Sequence, residues 1–262
     1  MQGSVTSIVK YFFLYILIAF IAAPAIVYSF FYVTDSLILG NSTSADDVFN
    51  NVILDETSLS IGSILVIAIF IRKRYSNIDV ASAKTADRRL YLWAFILELA
   101  SILPINILVS SLNLGDNAMV AETDDAMSIV GILAICILAP ISEELVFRGA
   151  VEEKLLQNKN KAVVAIVVSS LLFAIMHMAP SAVLVVFLSA LLTGWVYYRT
   201  RNVFVCFLMH ITNNGVSCLF DLFDAGTLHD ILFQTQFLIA AVFGVAFMVA
   251  AVKNLQKITS PK

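Results

Sequence analysis

The sequence predicts an all-α, polytopic transmembrane helix bundle of about eight spans, with both termini cytoplasmic. Three observations carry this. The 262-residue chain is 60% hydrophobic and only 13% charged, whereas a soluble domain carries about 25% charged residues. Its mean hydropathy is +0.91. Its lysines and arginines, Arg148 apart, fall at the termini or in alternate loops, which is the bias of cytoplasmic segments. Residues 1–262 read as a single transmembrane domain.

Each span needs about 20 apolar residues. The apolar runs cover approximately 9–33, 57–71, 90–112, 127–157, 161–179, 181–198, 202–222 and 231–252, the second and sixth being the shortest. The first run, Val9 to Val33, is too long for a signal-peptide core. It reads as a helix despite the small residues at Ala22-Ala23-Pro24-Ala25.

Lys10 lies at the start. Arg72, Lys73, Arg74, Lys84, Arg88 and Arg89 lie between spans two and three. Lys154, Lys159 and Lys161 separate four and five, Arg199 and Arg201 separate six and seven, and Lys253, Lys257 and Lys262 follow the last. The opposite loops hold Asp35, Asp46, Asp47, Asp55, Glu56, Asp116, Glu122, Asp124, Asp125, Asp224 and Asp230, with no Lys or Arg. Asn41 to Glu56 is expected to be an external loop, and Tyr75 to Ala86 a cytoplasmic one. His229 reads as a solvated loop residue. No internal repeat is visible, which argues against transporter folds built from repeated halves.

Cys136, Cys206 and Cys218 sit inside apolar runs. Odd in number, they read as small buried hydrophobes rather than a disulfide framework. No HExxH, CxxC or glycine-rich phosphate loop is present, and no nucleic-acid partner is expected. The expected partners are membrane lipid and a peptide or protein.

Ionisable groups at membrane depth are expensive and mark functional sites by default. The densest such stretch is Ala139-Pro140-Ile141-Ser142-Glu143-Glu144-Leu145-Val146-Phe147-Arg148-Gly149. Glu144 and Arg148 are four apart and can pair on one helix face. Glu143 lies about 100° round the helix and is left for chemistry. Pro140 removes a backbone N–H and should free a carbonyl near Cys136. Gly149 and Gly194 suit close helix packing.

Three further polar sites join this stretch: His177, His210 with Asn214, and Glu98. Glu143 precedes Lys159 by 16 residues and His177 follows Lys161 by 16, so both lie roughly 24 Å from one basic hairpin. His210 and Asn214 share a face roughly 14 and 20 Å beyond Arg201. The four therefore fall in one buried layer. Glu98 is expected either to be a second partner of Arg148 or to line a substrate cavity; a local hydrogen bond to Ser101 or to a neighbouring helix is the plainer reading.

These motifs resemble those of the CAAX-protease and bacteriocin-processing (CPBP, or Abi) family of intramembrane endopeptidases. EExxxR reads Glu143-Glu144-Leu145-Val146-Phe147-Arg148, FxxxH reads Phe173 to His177, and HxxxN reads His210 to Asn214. Ala139-Pro140 and Gly194-Trp195 match as flanks. The resemblance covers about Leu133 to Cys218, the family-like catalytic core, and leaves 1–126 as accessory helices without a matching motif.

The resemblance implies that Glu143 activates a water, that His177 orients it, and that His210 and Asn214 form an oxyanion hole. Glu144 and Arg148 would hold the helix. It also implies a site open to the cytosolic side. A metal-independent reaction is favoured. Zinc remains the alternative, held by Glu143, His177 and His210, although no pair has the short spacing of a zincin.

The expected function is an intramembrane endopeptidase of a bacterial cell membrane. It would mature a secreted peptide or bacteriocin, confer self-immunity, or perform CAAX-type cleavage. Two other classes stay open: a non-catalytic immunity protein that binds a toxin or its receptor, and an ion- or proton-coupled transporter using the same buried acid and histidines.

Overall fold

The computed structural model describes residues 2–40, 44–114, 128–157, 161–222 and 235–259. Asp116, Glu122, Asp124, Asp125, Lys159, Asp224, His229, Asp230 and Lys262 lie outside them. The described residues form helices and no strand. Seven helices are long and apolar enough to cross a membrane, and an eighth is apolar but shorter. The protein is a multi-pass membrane helix bundle. We label them α1 (Val5–Ile38), α2 (Val52–Arg72), α3 (Arg88–Ser110), α4 (Ile129–Gln157), α5 (Ala162–His177), α6 (Pro180–Thr200), α7 (Val203–Leu222) and α8 (Thr235–Ile258).

Several boundaries differ from expectation. The short span is the fifth, not the second or sixth. Helix α5 rises only about 24 Å, against the roughly 30 Å of a hydrocarbon core. It ends in a 3₁₀ turn, Ile175–His177. The next residue, Met178, has φ +57°, a left-handed conformation uncommon for a side chain of its size. Pro180 then opens α6, where its missing N–H costs nothing.

The expected loop from Asn41 to Glu56 is partly helical. A short helix spans Ala45–Phe49, and α2 already begins at Val52. Glu56 is buried and caps α4: its Oε1 accepts from the Ser128 N–H at 3.0 Å, and its other oxygen meets the Ser128 hydroxyl. A carboxylate is favoured at a helix N-terminus. The Tyr75–Ala86 loop likewise holds a short helix, Val80–Thr85.

Helix α4 is the hub, packing against α1, α2, α5, α6 and α7, while α3 joins α6, α7 and α8. Two wide π-helical stretches accompany its motif, Ala134–Leu138 ahead of it and Leu145–Glu152 overlapping its second half. Such insertions cluster at functional sites, and both leave backbone groups that other elements satisfy. Ser76 Oγ donates to the Leu145 carbonyl at 2.7 Å, and the Asn77 N–H donates to the Gly149 carbonyl at 2.7 Å. A Cβ on Gly149 would lie 2.9 Å from that of Ser76, so glycine is what lets this loop dock.

Candidate active site

The site begins at Pro140. The Ala139 N–H bonds to the Ala134 carbonyl, five residues back. Continued by one residue, that spacing would pair the Ile135 carbonyl with the Pro140 nitrogen, which carries no hydrogen. The freed carbonyl is therefore that of Ile135, next to Cys136 as expected. Asn214 Nδ2 on α7 donates to it at 2.8 Å. The proline thus fixes Asn214, and one amide hydrogen of Asn214 remains available for another acceptor.

Arg148 is wholly buried. Its Nε meets Glu144 Oε2 at 3.3 Å, the expected pair. A second partner comes from Glu152, whose Oε2 lies 2.9 Å from Nη1. Nη1 also reaches Ser169 and Ser170 on α5, and Nη2 donates to the Ala190 carbonyl on α6 at 2.9 Å. One side chain thus ties three helices together. Gly194 makes room for it: a Cβ there would sit 2.8 Å from Arg148 Nη1 and 2.9 Å from Glu152 Oε2.

Glu144 has a second task. Its Oε1 lies 3.0 Å from His210 Nδ1. The opposite ring nitrogen, Nε2, lies 3.6 Å from Glu143 Oε2. Glu143 is therefore not as free as the helix face suggests, since its Oε1 also accepts a hydrogen bond from Tyr15 Oη at 3.1 Å. Phe173 packs edge-on against the rings of both His177 (5.2 Å) and His210 (5.5 Å).

Glu98, Glu143, Glu144, His177, His210 and Asn214 all line one cavity of about 220 Å³. The four residues expected to do chemistry are thus brought together, His177 being the exposed member. Glu98 lines this cavity, the second of its two expected roles, and does not bond to Arg148, the first. Its Oε1 accepts from Ser189 Oγ at 2.9 Å, while its Oε2 is buried with no hydrogen-bond partner among the described residues. The plainer reading also holds: Ser189 lies on the neighbouring α6, and Ser101 Oγ donates to the Glu98 backbone carbonyl.

Sequence reasoning missed Glu152, Ser189 and Tyr15. Glu152 repeats the four-residue spacing from Arg148, a signal available in advance. The other two come from elements without a motif.

Glu143, His177 and His210 share the cavity, yet among the described residues no three His, Cys, Asp or Glu side chains are arranged to hold a metal ion. The bond from His210 Nδ1 to Glu144 leaves Nε2 free, as in many metal-bound histidines, so it is the arrangement of the three side chains that does not suit the ion. The residues do not fit zinc as they stand.

No curated protein and no solved structure matches the chain. Residues 125–216 match the family model described as type II CAAX prenyl endopeptidase Rce1-like, a stretch that contains all three motifs and every cavity residue named above except Glu98.

Proposed function

We propose that this protein is a glutamate-dependent intramembrane endopeptidase. The observation that carries the reading is the Glu143 carboxylate, held by Tyr15 at one oxygen, facing His210 at the other, and opening onto a cavity shared with His177 and Asn214.

In this scheme a water held by His177 gives its proton to Glu143 while its oxygen attacks the scissile carbonyl carbon. The tetrahedral oxyanion accepts hydrogen bonds from Nε2–H of a protonated His210, whose Nδ1–H is held by Glu144, and from the second amide hydrogen of Asn214. Donors aimed at such an oxyanion contribute several kcal/mol where bulk water is excluded. The proton then passes from Glu143 to the departing nitrogen as the C–N bond breaks, leaving a carboxyl and an amine. Glu144 orients His210 through Nδ1, so that Nε2 is the nitrogen turned to the cavity.

The charge distribution supports a site open to the cytosol and termini on the same side. The substrate class we favour is a membrane-associated peptide or propeptide in a bacterial cell membrane, with CAAX-type cleavage as the family-level reaction.

The test compares the N-termini and peptides of cells expressing wild type or Glu143→Ala at matched membrane levels. Cleavage products found with wild type alone support the reading and name a substrate. Identical profiles, with the variant still protective against a toxin, would overturn it in favour of a binding protein.

A further inference from the structure

We propose that Tyr15 is a positioning residue that sets the orientation of the Glu143 carboxylate, so that the N-terminal helix completes the active site. This rests on the reading of Glu143 as the base.

Tyr15 is 4% exposed and donates to Glu143 Oε1 at 3.1 Å. A carboxylate has two oxygens. With Oε1 occupied, Oε2 is the one left toward His210, 3.6 Å from its Nε2. A buried carboxylate on a short, rotatable side chain has several rotamers open to it, and a fixed donor selects among them.

The tyrosine is itself held in place. Its ring meets Phe147 edge-on at 5.4 Å and 79°, and Phe20 at 5.9 Å. Phe147 packs on Phe173 at 5.1 Å, and Phe173 carries the contacts to both histidines. Tyr15 thus sits within an aromatic chain, Phe20–Tyr15–Phe147–Phe173, running behind the candidate catalytic groups. Directly after it, α1 widens into a π-helical stretch, Leu17–Ala22. There α1 lies close against α2: a Cβ on Gly62 would be 3.2 Å from the Ala19 Cα. The close approach fixes the height and rotation of α1, and with them the phenol.

Tyr15 lies far outside the matched stretch 125–216. The catalytic half therefore takes a hydrogen bond on its central carboxylate from a helix with no family motif. A plain packing role would need the ring and not the hydroxyl, and that difference is what the experiment reads.

The full-length protein in detergent is compared with Tyr15→Phe, which keeps the ring, and Tyr15→Leu, which loses both. The first readout does not depend on proteolysis. Dicyclohexylcarbodiimide, a reagent for membrane-buried carboxyls, is applied and labelling is followed residue by residue by mass spectrometry. Tyr15→Phe should label Glu143 about tenfold faster, the scale of one charge-assisted hydrogen bond, with Glu98 labelled at the wild-type rate. The second readout is turnover of an internally quenched peptide ending in a farnesylated CAAX sequence. Tyr15→Phe should lower kcat about tenfold with little change in KM.

Unchanged Glu143 labelling in Tyr15→Phe overturns the proposal, and so does wild-type turnover in that variant. Faster labelling in a protein whose wild type leaves the farnesylated peptide intact would keep the Tyr15–Glu143 tie and remove CAAX-type cleavage as its reaction. A loss seen only in Tyr15→Leu would assign Tyr15 to packing.

Discussion

Replacing Arg148 by methionine keeps a long unbranched side chain and deletes the guanidinium. In the native bundle that group is 0% exposed and meets Glu144, Glu152, the Ala190 carbonyl and two serines. Removing one partner of a buried ion pair costs about 3–5 kcal/mol, because the other charge is left uncompensated. Here two carboxylates lose their cation, and a carbonyl loses a donor worth about 1 kcal/mol. A total of about 5 kcal/mol is as large as the whole stability of many domains. The expected result is poor recovery of monodisperse protein and a melting midpoint lower by about 10 °C or more. Thermal denaturation in detergent, monitored by size-exclusion chromatography, measures this. Glu152→Gln leaves Arg148 paired with Glu144 and should lower the midpoint by less. Glu143→Gln should melt near wild type while abolishing cleavage, which separates scaffold from chemistry. An Arg148→Met midpoint within about 2 °C of wild type would refute the claim that this arginine holds three helices together.

Gly194→Ala should act on the same cluster from α6: its Cβ collides with the ion pair, an overpacking cost of about 1–3 kcal/mol, read as a lowered midpoint, and a neutral outcome would mean that the pair can shift. Glu98→Gln should leave expression intact and reduce peptide cleavage, because its carboxylate lines the cavity; wild-type values for both would remove Glu98 from the site. Cleavage by detergent-solubilised protein should survive a strong chelator, and loss of turnover that zinc restores would show that the donor set rearranges around a metal. Ser76→Ala removes the hydroxyl that serves the Leu145 carbonyl; it should cost about 1 kcal/mol, seen as a small drop in midpoint.

Much of this was legible in the chain. Composition and charge sorting are local properties that the bilayer imposes directly, so the all-α class and the helix order followed from the residues. The Glu144–Arg148 pair followed from helical spacing alone. The shared level of Glu143 and His177 followed from counting residues back to one hairpin. Glu152 was equally open to that reasoning and was passed over.

Other features depend on where separate helices come to lie. That α5 stops at His177 turns on a left-handed Met178 before Pro180. The carbonyl freed by Pro140 is that of Ile135 because the preceding turn is π rather than α. Its partner, Asn214, is 79 residues away. Tyr15 reaches Glu143 across 128 residues of sequence, and no spacing rule spans that distance. The sequence by itself determined the membrane class, the order of helices and which buried polar residues are candidates for chemistry, because hydrophobicity and helical periodicity act over a few turns. Only the tertiary structure decided which carboxylate oxygen faces the cavity and which donors hold it, because hydrogen bonds between helices depend on their relative rotation and height.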